Sequence, residues 1–154
     1  MANSPAFAAA LAAVLLAAPA QAAIIGTCTI VIGPSGTMVP NPAITALSSK
    51  LAGGSAARAT VTMNSLVCIV LGLIDCYSVS APPPASFAAS PGGGGTGVAF
   101  TSTYRIDGGG EIAGSTATKR RNGTYDVTVD LVATRAAGVF PAGDYRAEVT
   151  LRCE

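Results

Sequence analysis

Histidine and tryptophan are both absent from this chain of 154 residues. Without histidine there is no Ser-His or Cys-His nucleophile pair, and the commonest side-chain ligand of transition metals is missing. Without tryptophan there is no Trp-faced platform for stacking a sugar. Charge is sparse, at 11% of residues, and nine Lys plus Arg are balanced by eight Asp plus Glu. Such a chain has no net field to draw it to nucleic acid or to an anionic membrane. No apolar run approaches the roughly 20 residues that a membrane-spanning helix needs. The four cysteines, Cys28, Cys68, Cys76 and Cys153, show no C-x-x-C spacing of a zinc or redox site. The glycine run Gly92–Gly95 is followed by no Lys-Ser or Lys-Thr, which excludes a phosphate loop. A glycosidase needs two carboxyl groups roughly 5 to 9.5 Å apart, whereas Asp126 and Asp130, or Asp144 and Glu148, would lie about 13 Å apart along a strand. These absences predict a protein that is not an enzyme and carries no cofactor and no metal.

What is present begins with an address. Phe7 to Ala18 is an unbroken apolar run, Pro19 ends it, and Ala20-Gln21-Ala22 places small residues at the A-x-A spacing read by signal peptidase. Met1–Pro5 carries no Lys or Arg, a departure from the usual leader. The pattern predicts a signal peptide over residues 1–22, a cut at Ala22/Ala23, and one β-domain over residues 23–154. The expected location is therefore exported: periplasm, cell surface or extracellular space. An even cysteine count suits the oxidising surroundings of an exported chain.

Glycine (18) and proline (10) are frequent and helical periodicity is scarce, which favours short strands joined by turns. Strands are expected at Thr27–Gly33, with a short return at Thr37–Pro40, and at Ala57–Asn64, where apolar and polar side chains alternate. Ala43–Lys50 reads equally as a strand or a helical turn. A further β-rich run covers Asp75–Ala81, and Pro82-Pro83-Pro84 with the glycines to Gly95 reads as a mobile crossing. Val98, Phe100, Tyr104 and Ile106 share one strand face, ended by Asp107-Gly108-Gly109-Gly110. Asn122-Gly123 predicts a two-residue hairpin between Ile112–Arg121 and Thr124–Arg135. In its second arm Tyr125, Val127, Val129, Leu131 and Ala133 face one way, while Asp126, Thr128, Asp130 and Thr134 face the other. Gly138–Gly143 is expected to turn the chain into a last strand ending at Cys153. About seven antiparallel strands at this spacing predict an all-β, immunoglobulin-like sandwich.

Side-chain phase selects among the three cysteine pairings. Cys28, Ile30 and Ile32 share a face, as do Tyr145, Ala147, Val149, Leu151 and Cys153, so Cys28 and Cys153 are expected to meet inside. Cys68 and Cys76 are then left to close a short loop. Between them Ile69-Val70-Leu71-Gly72-Leu73-Ile74 is either core or an exposed apolar tip, which makes Ile69, Val70, Leu71 and Leu73 candidate partner contacts. Lys119-Arg120-Arg121, the only basic run, reads as a solvated turn or a contact for an acidic polymer or sulfate. If the last strand pairs with its predecessor, Arg152 lies near Asp126 and Asp130 on the outer face.

The closing segment Gly138-Val139-Phe140-Pro141-Ala142-Gly143-Asp144-Tyr145, running on to Cys153, resembles the "P-A-G-x-Y" turn and last strand of bacterial spore-coat-U and pilin-like secreted proteins. The leader and the early Cys28 strand fit the same pattern. The resemblance implies a fimbrial or coat subunit that self-associates or is handled by a periplasmic chaperone and usher. It also implies Cys28–Cys68 and Cys76–Cys153 as the competing disulfide set. Only Ala23–Thr27 separate the cut from Cys28, shorter than the alternating extension a donor strand requires. The sequence thus leads to an exported structural or assembly subunit, with a monomeric binding module for a small ligand or glycan as the alternative.

Overall fold

The computed structural model describes residues 26–66 and 76–154. The leader at 1–22, Cys68 and the apolar residues Ile69, Val70, Leu71 and Leu73 lie outside them. The described residues form ten strands: β1 (Gly26–Ile32), β2 (Val39–Pro40), β3 (Ala46–Ser48), β4 (Ala57–Ser65), β5 (Tyr77–Ser80), β6 (Val98–Ile106), β7 (Ile112–Ala113), β8 (Thr118–Arg120), β9 (Gly123–Arg135) and β10 (Arg152–Cys153). Three of these, β2, β7 and β10, are only two residues long. All pairings are antiparallel, in one sheet of seven strands and one of three ordered β10-β5-β8. The all-β, antiparallel sandwich expected from strand spacing is the fold observed.

The organising element is β9, whose 13 residues alternate as the sequence pattern requires: Val127, Val129, Leu131 and Ala133 are buried on the inner face. One of its edges is covered along Val127–Arg135 by β6. The other is shared end to end by β4, opposite Gly123–Val129, and β3, opposite Val132–Thr134. So β3 and β4 act as one strand interrupted by the loop at 49–56. Within Ala43–Lys50, ambiguous in sequence, only Ala46–Ser48 is strand, where β9 offers a backbone edge; the flanking residues are turns and bends. The inner faces of both sheets meet in a core of Val61, Met63, Tyr77, Val79, Tyr104, Ile106, Val127 and Val129. A second cluster at one end gathers Leu47, Phe87, Ala133 and Phe140.

Several pairings differ from the sequence reading. The Asn122-Gly123 hairpin does not form: β4 takes one edge of Gly123–Val129, and β8 pairs with β5 in the other sheet. Asn122 is put to another use: its Nδ2 donates to the Ser65 carbonyl at 2.8 Å and its Oδ1 accepts from the Ser65 N–H at 3.1 Å. Thr37–Pro40 returns onto β3 rather than β1. The last strand does not follow β9 either; the chain crosses to the small sheet, and only Arg152–Cys153 enter a ladder there. Its expected alternation persists, since Tyr145, Ala147, Val149, Leu151 and Cys153 are all half-buried between exposed neighbours.

Residues 82–95 are anchored rather than a mobile crossing. Phe87 is 9% exposed, with its ring edge-on to Phe100 at 4.8 Å and tilted on Tyr145 at 5.0 Å. Pairs of this kind contribute about 0.5–1.5 kcal/mol each beyond area burial. Ala88 and Ala89 N–H groups also donate to the Arg146 carbonyl, at 2.8 and 3.2 Å.

Candidate functional site

The Cys28–Cys153 disulfide ties β1, the end strand of the large sheet, to β10, an end strand of the small one, with Cα atoms 6.3 Å apart. Inward phase on both strands made this pair legible in the sequence, and its presence replaces the Cys28–Cys68 and Cys76–Cys153 set implied by the resemblance. Cys76 is also disulfide-bonded; its expected partner, Cys68, lies outside the described residues.

On this rim the backbone is open. All seven residues of β1 pair with β4, from Gly26 opposite Ser65 to Ile32 opposite Ala59, and among the described residues nothing pairs with its other edge. Val31 and Ile32 at the end of β1 are 60% and 75% exposed. On the small sheet, residues 147–151 run extended beside the core yet enter no ladder among the described residues. The cause lies across from them. Arg152 faces Ser80 and Arg146 faces Ala89, so six steps along one chain oppose nine along the other, and the surplus contains Pro82-Pro83-Pro84. Proline has no N–H to donate, so the ladder breaks there.

The outer face of the large sheet carries a polar network that sequence reasoning missed. Asp130 is only 5% exposed. Its Oδ1 accepts from Ser49 Oγ at 2.7 Å and its Oδ2 from Arg105 Nη1 at 3.0 Å. Arg105 Nη2 reaches Glu111 Oε2 at 2.7 Å, and Lys50 Nζ contacts Glu111 Oε1. The hydrogen bond from Lys50, with the charges of Lys50 and Arg105, outweighs desolvation and holds the Glu111 carboxyl below its ordinary value. Arg152 takes no part: it sits in the small sheet, so the expected cluster with Asp126 and Asp130 is not formed. The signal available in sequence was Arg105 on the outward phase of β6, but its position opposite Thr128 depends on a long-range ladder. Of the other carboxylates, Glu148 pairs with Arg146 at 2.8 Å, both exposed, and Asp126 accepts from Thr60 Oγ1 at 3.3 Å.

A third region lies at the far edge of the small sheet. Lys119, Arg120 and Arg121 line a shallow depression of about 390 Å³ together with Asp107 and Tyr125. The Arg120 guanidinium lies 5.9 Å from the Tyr125 ring centroid and donates to the Lys119 carbonyl at 3.2 Å. The Tyr125 hydroxyl donates to the Arg121 carbonyl at 3.1 Å. Asp107, at φ 51°, accepts the Asp126 N–H at 2.8 Å.

Among the described residues no group of three His, Cys, Asp or Glu side chains could hold a metal ion, and no helix is long and apolar enough to cross a membrane. No family model, no curated protein and no solved structure matches the chain.

Proposed function

We propose that the chain is an exported structural or surface-assembly subunit, without catalysis, that self-associates through its open sheet edges. The observation that carries the reading is the outer edge of β1, unpaired among the described residues, with its exposed Val31 and Ile32. Sheet edges that stay monomeric are normally protected by charge, proline or a covering segment. Gly-Thr-Cys-Thr-Ile-Val-Ile contains neither a charged residue nor proline. Such an edge is suited to accept a strand, with backbone hydrogen bonds supplying affinity and alternate side chains supplying selectivity. The leader pattern and the Cys28–Cys153 bond favour an oxidising compartment, where a chaperone and usher would shield the edge before assembly.

Light-scattering mass of the purified chain across a concentration series, without reductant, tests the proposal. Mass should rise with concentration, and Val31→Lys should hold the protein at monomer mass while its circular dichroism stays native. A monomer at every concentration would reject self-association and favour the second reading, a binding module, for which the depression beside Lys119–Arg121 is the supporting feature.

A further inference from the structure

Among the described residues the basic run forms no ion pair with a carboxylate. The four ion pairs among the described residues use Lys50, Arg105 and Arg146, and none uses Lys119, Arg120 or Arg121. Three cations thus share one depression with a single carboxylate, Asp107, one oxygen of which already accepts a backbone N–H. A solvated turn would leave such side chains separately mobile. Here Arg120 is held on Tyr125 and on the Lys119 carbonyl, and Tyr125 in turn fixes the Arg121 carbonyl. The next residue, Asn122, is clamped to Ser65 by hydrogen bonds in both directions. Fixing the backbone and one guanidinium in advance reduces the ordering cost of binding.

We propose that Lys119, Arg120 and Arg121 form a binding site for a phosphate or sulfate group. Two guanidinium forks and one ammonium supply charge-assisted donors suited to a tetrahedral oxyanion. The group arrives either as the free anion or as a substituent of a saccharide chain. Nucleic acid fits less well: the whole chain carries a net charge of only +1, and the ring available for base stacking, Tyr125, is already capped by Arg120. The site lies at the end of β8, shares no residue with β1, and does not depend on the assembly reading.

The test is a titration of the full chain at low salt, followed by amide NMR shifts at residues 107, 119–121 and 125, with three probes: inorganic phosphate, a sulfated tetrasaccharide and a single-stranded DNA oligomer. Saturable shifts with phosphate alone support a free-anion site; saturation only with the tetrasaccharide supports a glycan-borne group. In either case the double variant Lys119→Gln/Arg121→Gln, both exposed positions, should unfold at the wild-type temperature and bind about tenfold or more weakly. Binding should also weaken as salt shortens the screening length. The proposal is overturned by an absence of saturable shifts with both anions, by binding that the double variant leaves intact, or by tighter binding of the oligomer than of either anion.

Discussion

Tyr104 shows how one side chain ties the two sheets together. It is fully buried on β6, and its hydroxyl lies 2.9 Å from the Val79 carbonyl and 2.8 Å from the Thr116 carbonyl, beside Thr118 Oγ1. A phenol buried this deeply is tolerated because its polar end is satisfied. Tyr104→Phe keeps the ring and strands the polar groups around it, so we expect a loss of about 1–3 kcal/mol in urea denaturation. A change near zero would mean that these carbonyls find water instead. Glu111 acts at the surface and through charge. Its carboxyl is depressed from 4.5 in the folded state, chiefly by the Lys50 hydrogen bond. A group depressed on folding contributes stability above its unfolded pKa and loses it as pH falls through the folded value. The stability gap between wild type and Glu111→Gln should therefore be open at pH 7 and close as pH drops below 4.5. It should also narrow in salt, because the pair is exposed. A gap that is the same at both pH values would show that the carboxylate charge contributes nothing.

Among the elements, the strands were legible and their partners were not. Period-two alternation located β4, β6 and β9 because one face of each is buried, a local property that any register preserves. Pairing is set by which edges remain free. The Asn122-Gly123 signal was read as a hairpin turn, but β8 joins β5 in the small sheet, and the asparagine amide clamps Ser65 instead. The same non-locality hid the Arg105–Asp130 contact, since Asp130 becomes buried only when the loop after β3 places Ser49 over it. Gly114, which ends β7, marks another such junction. Its N–H donates to the Ser102 carbonyl in the large sheet and its carbonyl accepts from Ala81 N–H beside the small one, both near 2.9 Å. A Cβ there would stand 1.9 Å from Ser102 Oγ and 2.3 Å from the Ala81 carbonyl oxygen. Both neighbours are held by their own hydrogen bond, Ser102 Oγ to the Ala81 carbonyl at 2.6 Å, so neither moves cheaply. Gly114→Ala should cost about 1–3 kcal/mol as overpacking, read as a lower denaturation midpoint, whereas Gly110→Ala, with open space around it, should be close to neutral.

On the scale of the whole molecule, the two ends of the described fold are joined. The described fold starts on β1 and finishes on β10, and the Cys28–Cys153 bond closes a separation of 125 residues between them. Among the described residues each of these strands pairs along one edge only. β1 is an edge strand with partly exposed inner residues, and β10 contributes two residues to its ladder, after a stretch in which the prolines deny it a partner. A loop of that length corresponds to about 4–5 kcal/mol in the chain-entropy model, through the unfolded state. A native-state effect should add to it, because the disulfide also fastens the open rim. The double variant Cys28→Ala/Cys153→Ala should therefore lose about 5 kcal/mol or more in denaturant, and amide exchange should accelerate first in β1 and at Arg152–Glu154, ahead of β9. Uniform acceleration across all strands would assign the whole effect to the unfolded chain. Faster exchange confined to the rim, with a smaller global loss, would place it in the native edge, and a freer β1 should then raise the concentration-dependent mass of the variant above that of the wild type.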